Sequence, residues 1–288
     1  SDRLAPMVGR KIASSKLRVG YFAQHQVDEL NVDEVRRQIR EMARGGFGGH
    51  FMHSRIGLAS PYLGTEWMES VIAACIEARD TNVQPWLYDE DCWPSGNCGR
   101  RITTGRPDHQ AKVLYYEIVR PANFRPEPQT VAVFVGQKSG DGPLTGFQRV
   151  TDVGEARSLR LKSGEAMVHF AYRTHEYVDV LNRAATGQFI ESTHEEYRRA
   201  AGRFFGTTVP GMFTDEPLVM NTRPGAAWSL ELPEFFRRSA GYDLLDHLPA
   251  LFFSVPGGQK VRFDYHQALL RLFLLGGIRL SRMSQRRG

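Results

Sequence analysis

Two acidic runs carry the strongest chemical signal in this chain, Asp89-Glu90-Asp91 and Asp215-Glu216. Each closes a short apolar stretch, residues 83–88 before the first and 209–214 before the second. A carboxyl group beside another anion or an apolar wall can keep its proton near neutral pH, while a partner carboxylate stays ionised. Breaking a glycosidic bond uses such a division of labour, with one group protonating the departing oxygen and the other attacking or activating water. Pro217 restrains the residue before it and ends the strand. Glu216 is therefore expected at a strand terminus, with Thr214 on its face and Phe213 and Asp215 on the other. Glu216 and Asp215 are the candidate catalytic residues. His25, His53, Arg55, Tyr88, Asp89, Glu90, Asp91 and Trp93 follow or end neighbouring apolar runs. They are candidate substrate contacts, because aromatic rings stack on the apolar faces of sugars and carboxylates accept hydrogen bonds from hydroxyls.

Each residue also has a plainer role open to it. The three acids after residue 88 would serve as a solvated turn, or would hold a hard cation through oxygen ligands, although their spacing is not that of an EF-hand loop. Trp86 lies inside an apolar run and is assigned to the core. His194 and Glu195 fall within a helical stretch and are assigned a structural role, and Asp179 and Asn182 read as turn or helix-cap residues.

The elements that must position these groups follow a recognisable rhythm. Residues 17–23 read as a strand leading to Gln24 and His25. Asn31 then caps a helix, with Glu34 at capping-box spacing and Val35, Ile39 and Met42 on one face. A strand over 48–53, a helix from Thr65 carrying Met68, Val71, Ile72 and Cys75, and a strand over 83–88 come next. Residues 111–173 break the pattern with β-branched and aromatic runs at 113–119, 130–135 and 166–172, separated by Pro- and Gly-rich turns. A helix over 186–204, the strand over 209–216, a helix over 229–240 and a long helix over 261–285 interrupted at Gly276-Gly277 complete the chain. The expected fold is α/β: the first four units of a partial (β/α)8 barrel with an antiparallel β insertion between the third and fourth units. It divides into residues 1–110, 111–175 and 176–288. A doubly wound sheet is disfavoured because no glycine-rich phosphate loop follows the first strand. About four of the eight strands of a closed barrel are accounted for. The chain is accordingly expected to be a fragment lacking a C-terminal half, with exposed apolar edges that favour self-association.

Bulk properties narrow the partners. The 288 residues carry a net charge of +5, with 41% hydrophobic and 24% charged residues, as in a globular protein. Basic residues are scattered among acids rather than gathered into a stripe with stacking aromatics, which argues against nucleic acid. No stretch has the length and apolarity of a membrane span or a signal-peptide core. The compartment stays open between the cytoplasm and secretion with a signal already removed. Cys75, Cys92 and Cys98 give no even disulfide framework and no zinc spacing, so free thiols and no metal are expected.

The run from Trp86 to Gly96, with Tyr88, Asp89, Glu90, Asp91, Trp93, Pro94 and Ser95, resembles the WxYDEDGWPSG signature of large bacterial glycoside hydrolases around family 106, the α-L-rhamnosidases. Gly48-Gly49 with His53 and Arg55, then Pro61-Tyr62-Leu63 and Glu66-Trp67, are similar to the preceding part of that pattern. Tyr177-Val178-Asp179-Val180-Leu181-Asn182, Phe204-Phe205-Gly206 and Phe213-Thr214-Asp215-Glu216-Pro217 match in the same order. Cys92 stands where the family has glycine. The resemblance implies a (β/α)8 catalytic domain acting on plant or microbial polysaccharide, with Glu216 as general acid and the partner carboxylate on a later strand. It also implies that Asp89, Glu90, Asp91 and Trp93 shape the sugar subsite, and it admits calcium as an auxiliary ion. Two other readings are carried: a non-catalytic carbohydrate-binding or interaction module using the same cleft, and a metal-dependent hydrolase built on Asp89, Asp91, His53 and His25.

Overall fold

The computed structural model describes residues 31–54, 57–138, 140, 142–220 and 224–285. The strand expected over 17–23, with Gln24 and His25, lies outside the described residues, as does Arg55.

Asn31 opens α1 (Val32–Arg44), its side chain accepting from the backbone amides of Asp33 and Glu34 and so satisfying two of the first unpaired donors. Glu34 does not reach back to complete a capping box. It accepts instead from Arg37 and Gln38. Next come β1 (Gly49–Met52), α2 (Thr65–Thr81) and β2 (Gln84–Tyr88). Gly64, not Thr65, occupies the cap position of α2, with no side-chain hydrogen bond. The chain then forms β3 (Gln110–Val119), β4 (Thr130–Lys138), β5 (Leu144–Arg149) and β6 (Glu165–Val178). α3 (Arg183–Phe189) passes through a π turn at Ile190–His194 into α4 (Glu195–Ala201). The remaining elements are β7 (Met212–Phe213), β8 (Ala226–Trp228), α5 (Leu232–Ala240), α6 (Pro249–Phe252) and α7 (Gly258–Gln285).

Two sheets result. β1, β2 and β7 pair in parallel in that order, Met52 opposite Leu87 and Tyr88 opposite Phe213. The second sheet is antiparallel in the order β5-β4-β6-β3-β8. One face of the parallel sheet is covered by α1, α2 and α4, and Ile39, Val71, Leu87 and Tyr197 are buried between them. One face of the antiparallel sheet carries α5, α6 and α7, where Leu114, Phe134 and Phe170 meet Phe236, Leu248 and Leu269.

This arrangement overturns the expected partial (β/α)8 barrel. Parallel pairing stops at three strands among the described residues, and β7 contributes only two residues to it. The following strand, β8, pairs antiparallel with β3, so the chain leaves the parallel sheet instead of extending it. The later helices then bury their apolar faces on the antiparallel sheet rather than forming an outer ring. Two helices also differ from expectation. The helix expected over 186–204 starts earlier, at Arg183 under an Asn182 cap, and is split by the π turn. The last helix runs without a break through Gly276, where a side chain would meet the Val180 carbonyl 3.3 Å away. No helix among the described residues is long and apolar enough to cross a membrane.

Candidate active site

The carboxyl ends of β2 and β7 lie side by side, so the turn after Tyr88 and the loop after Phe213 meet at one edge of the parallel sheet. The Asp89 amide continues the pairing by donating to the Phe213 carbonyl at 3.2 Å. The Asp89 side chain turns inward and is 0% exposed. Its Oδ1 accepts from Ser95 Oγ at 2.6 Å, and its Oδ2 accepts from Thr214 Oγ1 at 2.7 Å and from His194 Nε2 at 2.9 Å. Ser95 extends this network. Its hydroxyl accepts from the Asp215 amide at 2.8 Å and its own amide donates to the Asp215 carbonyl at 3.0 Å. Tyr177 donates to the Ser95 carbonyl at 2.6 Å and accepts from the Leu218 amide at 3.0 Å. A buried carboxylate is tolerated when its lone pairs are taken by well-placed donors, and here three separate segments supply them.

The acidic loop is thereby held open to solvent at its tip. Asp215 Oδ2 accepts from the Tyr88 hydroxyl at 2.8 Å. Burial, reinforced by the bond to Asp215, pushes the Tyr88 phenol far above its ordinary range and keeps it a donor. Glu216 is exposed and adopts a φ of +41°, a left-handed conformation that side chains rarely occupy. On the other side of Tyr88, His53 stacks on the phenol ring with centroids 4.0 Å apart, and its Nε2 lies 3.2 Å from Glu90 Oε1. The strand alternation that faces Leu87 into the core turns Trp86 and Tyr88 to the opposite side, where Phe51 and Phe213 join them. Trp86 is only partly buried there, against the expectation of a core residue.

The other candidates divide. Trp93 is 59% exposed beside the acidic turn. Asp91 accepts from the Gly99 amide at 2.8 Å and so caps the turn that follows. Glu90 is buried near His53, and Asp89 has no accessible surface, so the substrate contact expected of Asp89 lacks a surface to make it. Cys92 does not adopt a positive φ, so its side chain brings no backbone strain to the turn. Gly96 does need to be glycine: its φ is +122° and a side chain would meet Val178 at 2.5 Å. Among the described residues no three His, Cys, Asp or Glu side chains are grouped as metal ligands; His25, one of the four residues of the metal-hydrolase reading, lies outside them. The described cysteines are free, with Cys75 and Cys98 buried.

Sequence reasoning missed His194, Ser95, Thr214 and Tyr177 as members of the site. The helical spacing around His194 reads as a plain helix, and a π turn leaves no mark in hydrophobic periodicity. Ser95 and Thr214 lie inside the two motifs already singled out, where hydroxyls next to buried acids were the available signal.

No family model and no curated protein match this chain. Among solved structures it is similar to a rhamnosidase from Novosphingobium sp. PP1Y, with a TM-score of 0.52 and 13% sequence identity over 85% of this chain. The chain spans 42% of that rhamnosidase's length. At this identity the likeness is one of fold.

Proposed function

We propose that this chain carries the acid-bearing part of a glycoside hydrolase that cleaves oligo- or polysaccharide, with Glu216 as the general acid. The observation that carries this reading is the exposed Glu216 side chain at a φ of +41°, in a loop tied down on both sides of it. Backbone held in a rare conformation by its surroundings concentrates at catalytic sites. The similarity in fold to a rhamnosidase supports the same class of chemistry.

In this mechanism Glu216 gives its proton to the glycosidic oxygen as the bond to the sugar breaks. Asp215, oriented by Tyr88, stabilises the positive charge that develops on the sugar ring. His53 and the exposed indole of Trp93 contact the bound sugar. The test is hydrolysis of aryl glycosides, the α-L-rhamnoside among them, by the wild-type chain and by Glu216→Gln. Loss of the acid lowers kcat by at least about 100-fold. Turnover that survives the substitution removes Glu216 from this role.

A second reading, sugar binding without turnover, is favoured by the exposure of Trp93 beside the acids. Saturable rhamnoside binding with no hydrolysis, abolished in Trp93→Ala, selects it.

A further inference from the structure

We infer that His194 and Asp89 are positioning residues that fix the loop bearing Asp215 and Glu216 without touching the substrate themselves. The inference rests on the reading of that loop as the acid-bearing one. Both side chains are buried, and they meet at 2.9 Å. Asp89 lies at the centre of a relay. Through Thr214 it holds the residue just before Asp215, and through Ser95 it holds the Asp215 backbone itself. The Ser95 carbonyl in turn anchors Tyr177, which accepts from the Leu218 amide. Glu216 is therefore bracketed by fixed points at Asp215 and Leu218. A strained φ between two such anchors persists only while the anchors hold.

His194 is the third donor to Asp89, and the helix is deformed where it sits. Ile190–His194 forms a π turn between α3 and α4, and such turns, inserted into otherwise regular helices, are frequent at functional sites. The Phe189 ring packs edge-on against the imidazole with centroids 5.5 Å apart, which limits its rotation. Asp89 is acceptor-only, so His194 contributes the N–H at Nε2. Without it, Asp89 Oδ2 keeps only the Thr214 hydroxyl, a rotor that can turn to water, and the tether from the π turn to Asp89 is cut, leaving the Tyr197 hydroxyl on the Tyr88 carbonyl as the link from α4. The carboxylate is wholly buried, so losing a donor leaves an under-satisfied charge that favours local opening.

Hydrogen exchange on the intact chain tests this, with wild type, His194→Ala, His194→Gln and Asp89→Asn compared and aryl rhamnoside turnover measured on the same samples. In His194→Ala the Ser95 and Asp215 amides exchange at least about tenfold faster, while amides of α5 and α7 keep their protection. His194→Gln, whose side-chain amide can donate to Asp89, restores most of that protection. Where turnover is present, kcat falls in His194→Ala with KM little changed, and Gln rescues it. Unchanged exchange at Ser95 and Asp215 overturns the inference. So does an equal loss of protection in α5 and α7, which makes the pair a determinant of global stability only. Loop loosening in a chain that hydrolyses no glycoside supports the positioning role and instead removes the acid reading of Glu216.

Discussion

Glu216 is the residue at which local preference and tertiary structure disagree most. It is a non-glycine residue at a φ of +41° directly before a proline, a position that disfavours helical backbone of either hand. The two hydrogen bonds between Ser95 and Asp215, and the Tyr177–Leu218 bond beyond, are what oppose its relaxation. Glu216→Gly removes the Cβ that makes this conformation unfavourable. The substitution is expected to raise the stability of the folded chain by about 1 kcal/mol, the left-handed penalty less the added chain entropy. It is also expected to abolish glycoside turnover. Urea denaturation checks the first part, and a variant less stable than wild type would show that Glu216 makes a stabilising contact outweighing its strain. Asp89 is the opposite case. It has no exposed surface, and its chemistry is spent entirely on neighbouring segments.

Among the elements, the joint between the antiparallel sheet and α3 has the sharpest electrostatic signature. Asp179 follows β6. Its amide donates to the His109 carbonyl just before β3, and its Oδ2 accepts from Ser229, just after β8. Lys112 of β3 lies 3.7 Å from the same oxygen and donates to the Asp108 and Gln110 carbonyls. Burial dominates both groups: it pushes the Asp179 carboxyl up to about 6 and holds the Lys112 amine below its ordinary range. Because the folded value of Asp179 exceeds the unfolded one, its stabilising contribution is complete below about pH 4 and is lost as pH rises through about 6. The stability of wild type relative to Asp179→Asn should therefore fall by about 2 kcal/mol between about pH 4 and pH 7. Urea midpoints measured across that range check it, and a constant difference would mean that Asp179 is not desolvated. Elements with a local signature were legible in the sequence. Asn31 announced α1, and the β-branched runs at 113–119, 130–135 and 166–172 lie within β3, β4 and β6. Pairing partners were not legible, because they depend on contacts far apart in the chain. The three residues of β8 left no periodicity to read, yet their antiparallel pairing with β3 is what takes the chain out of the parallel sheet. At the site, the two acidic motifs were visible and do converge. The histidine that ties them to α4 was hidden by a helical pattern that a π turn leaves unaltered.

At the scale of the whole molecule, the parallel sheet has one apolar face buried under helices and, among the described residues, one left uncovered. Parallel strands are ordinarily covered on both faces. Here α1, α2 and α4 cover one, while Phe51 remains 55% exposed and Phe213 39% exposed on the other. The two rings are 5.2 Å apart between centroids and form one patch with Trp86 and Tyr88. A contiguous aromatic patch of this kind drives association, because covering it removes apolar surface from water at about 25 cal/mol per Å². The chain is therefore expected to self-associate reversibly, its weight-average mass in sedimentation equilibrium rising with concentration. Phe51→Ser combined with Phe213→Ser should shift that rise to at least several-fold higher concentration. The melting temperature should change little, since neither ring belongs to the buried cores. Phe263 and Leu270, exposed on α7, supply the control. If the sheet face drives association, Phe263→Ser with Leu270→Ser leaves it intact. If only the α7 pair abolishes it, the aromatic face is not the contact.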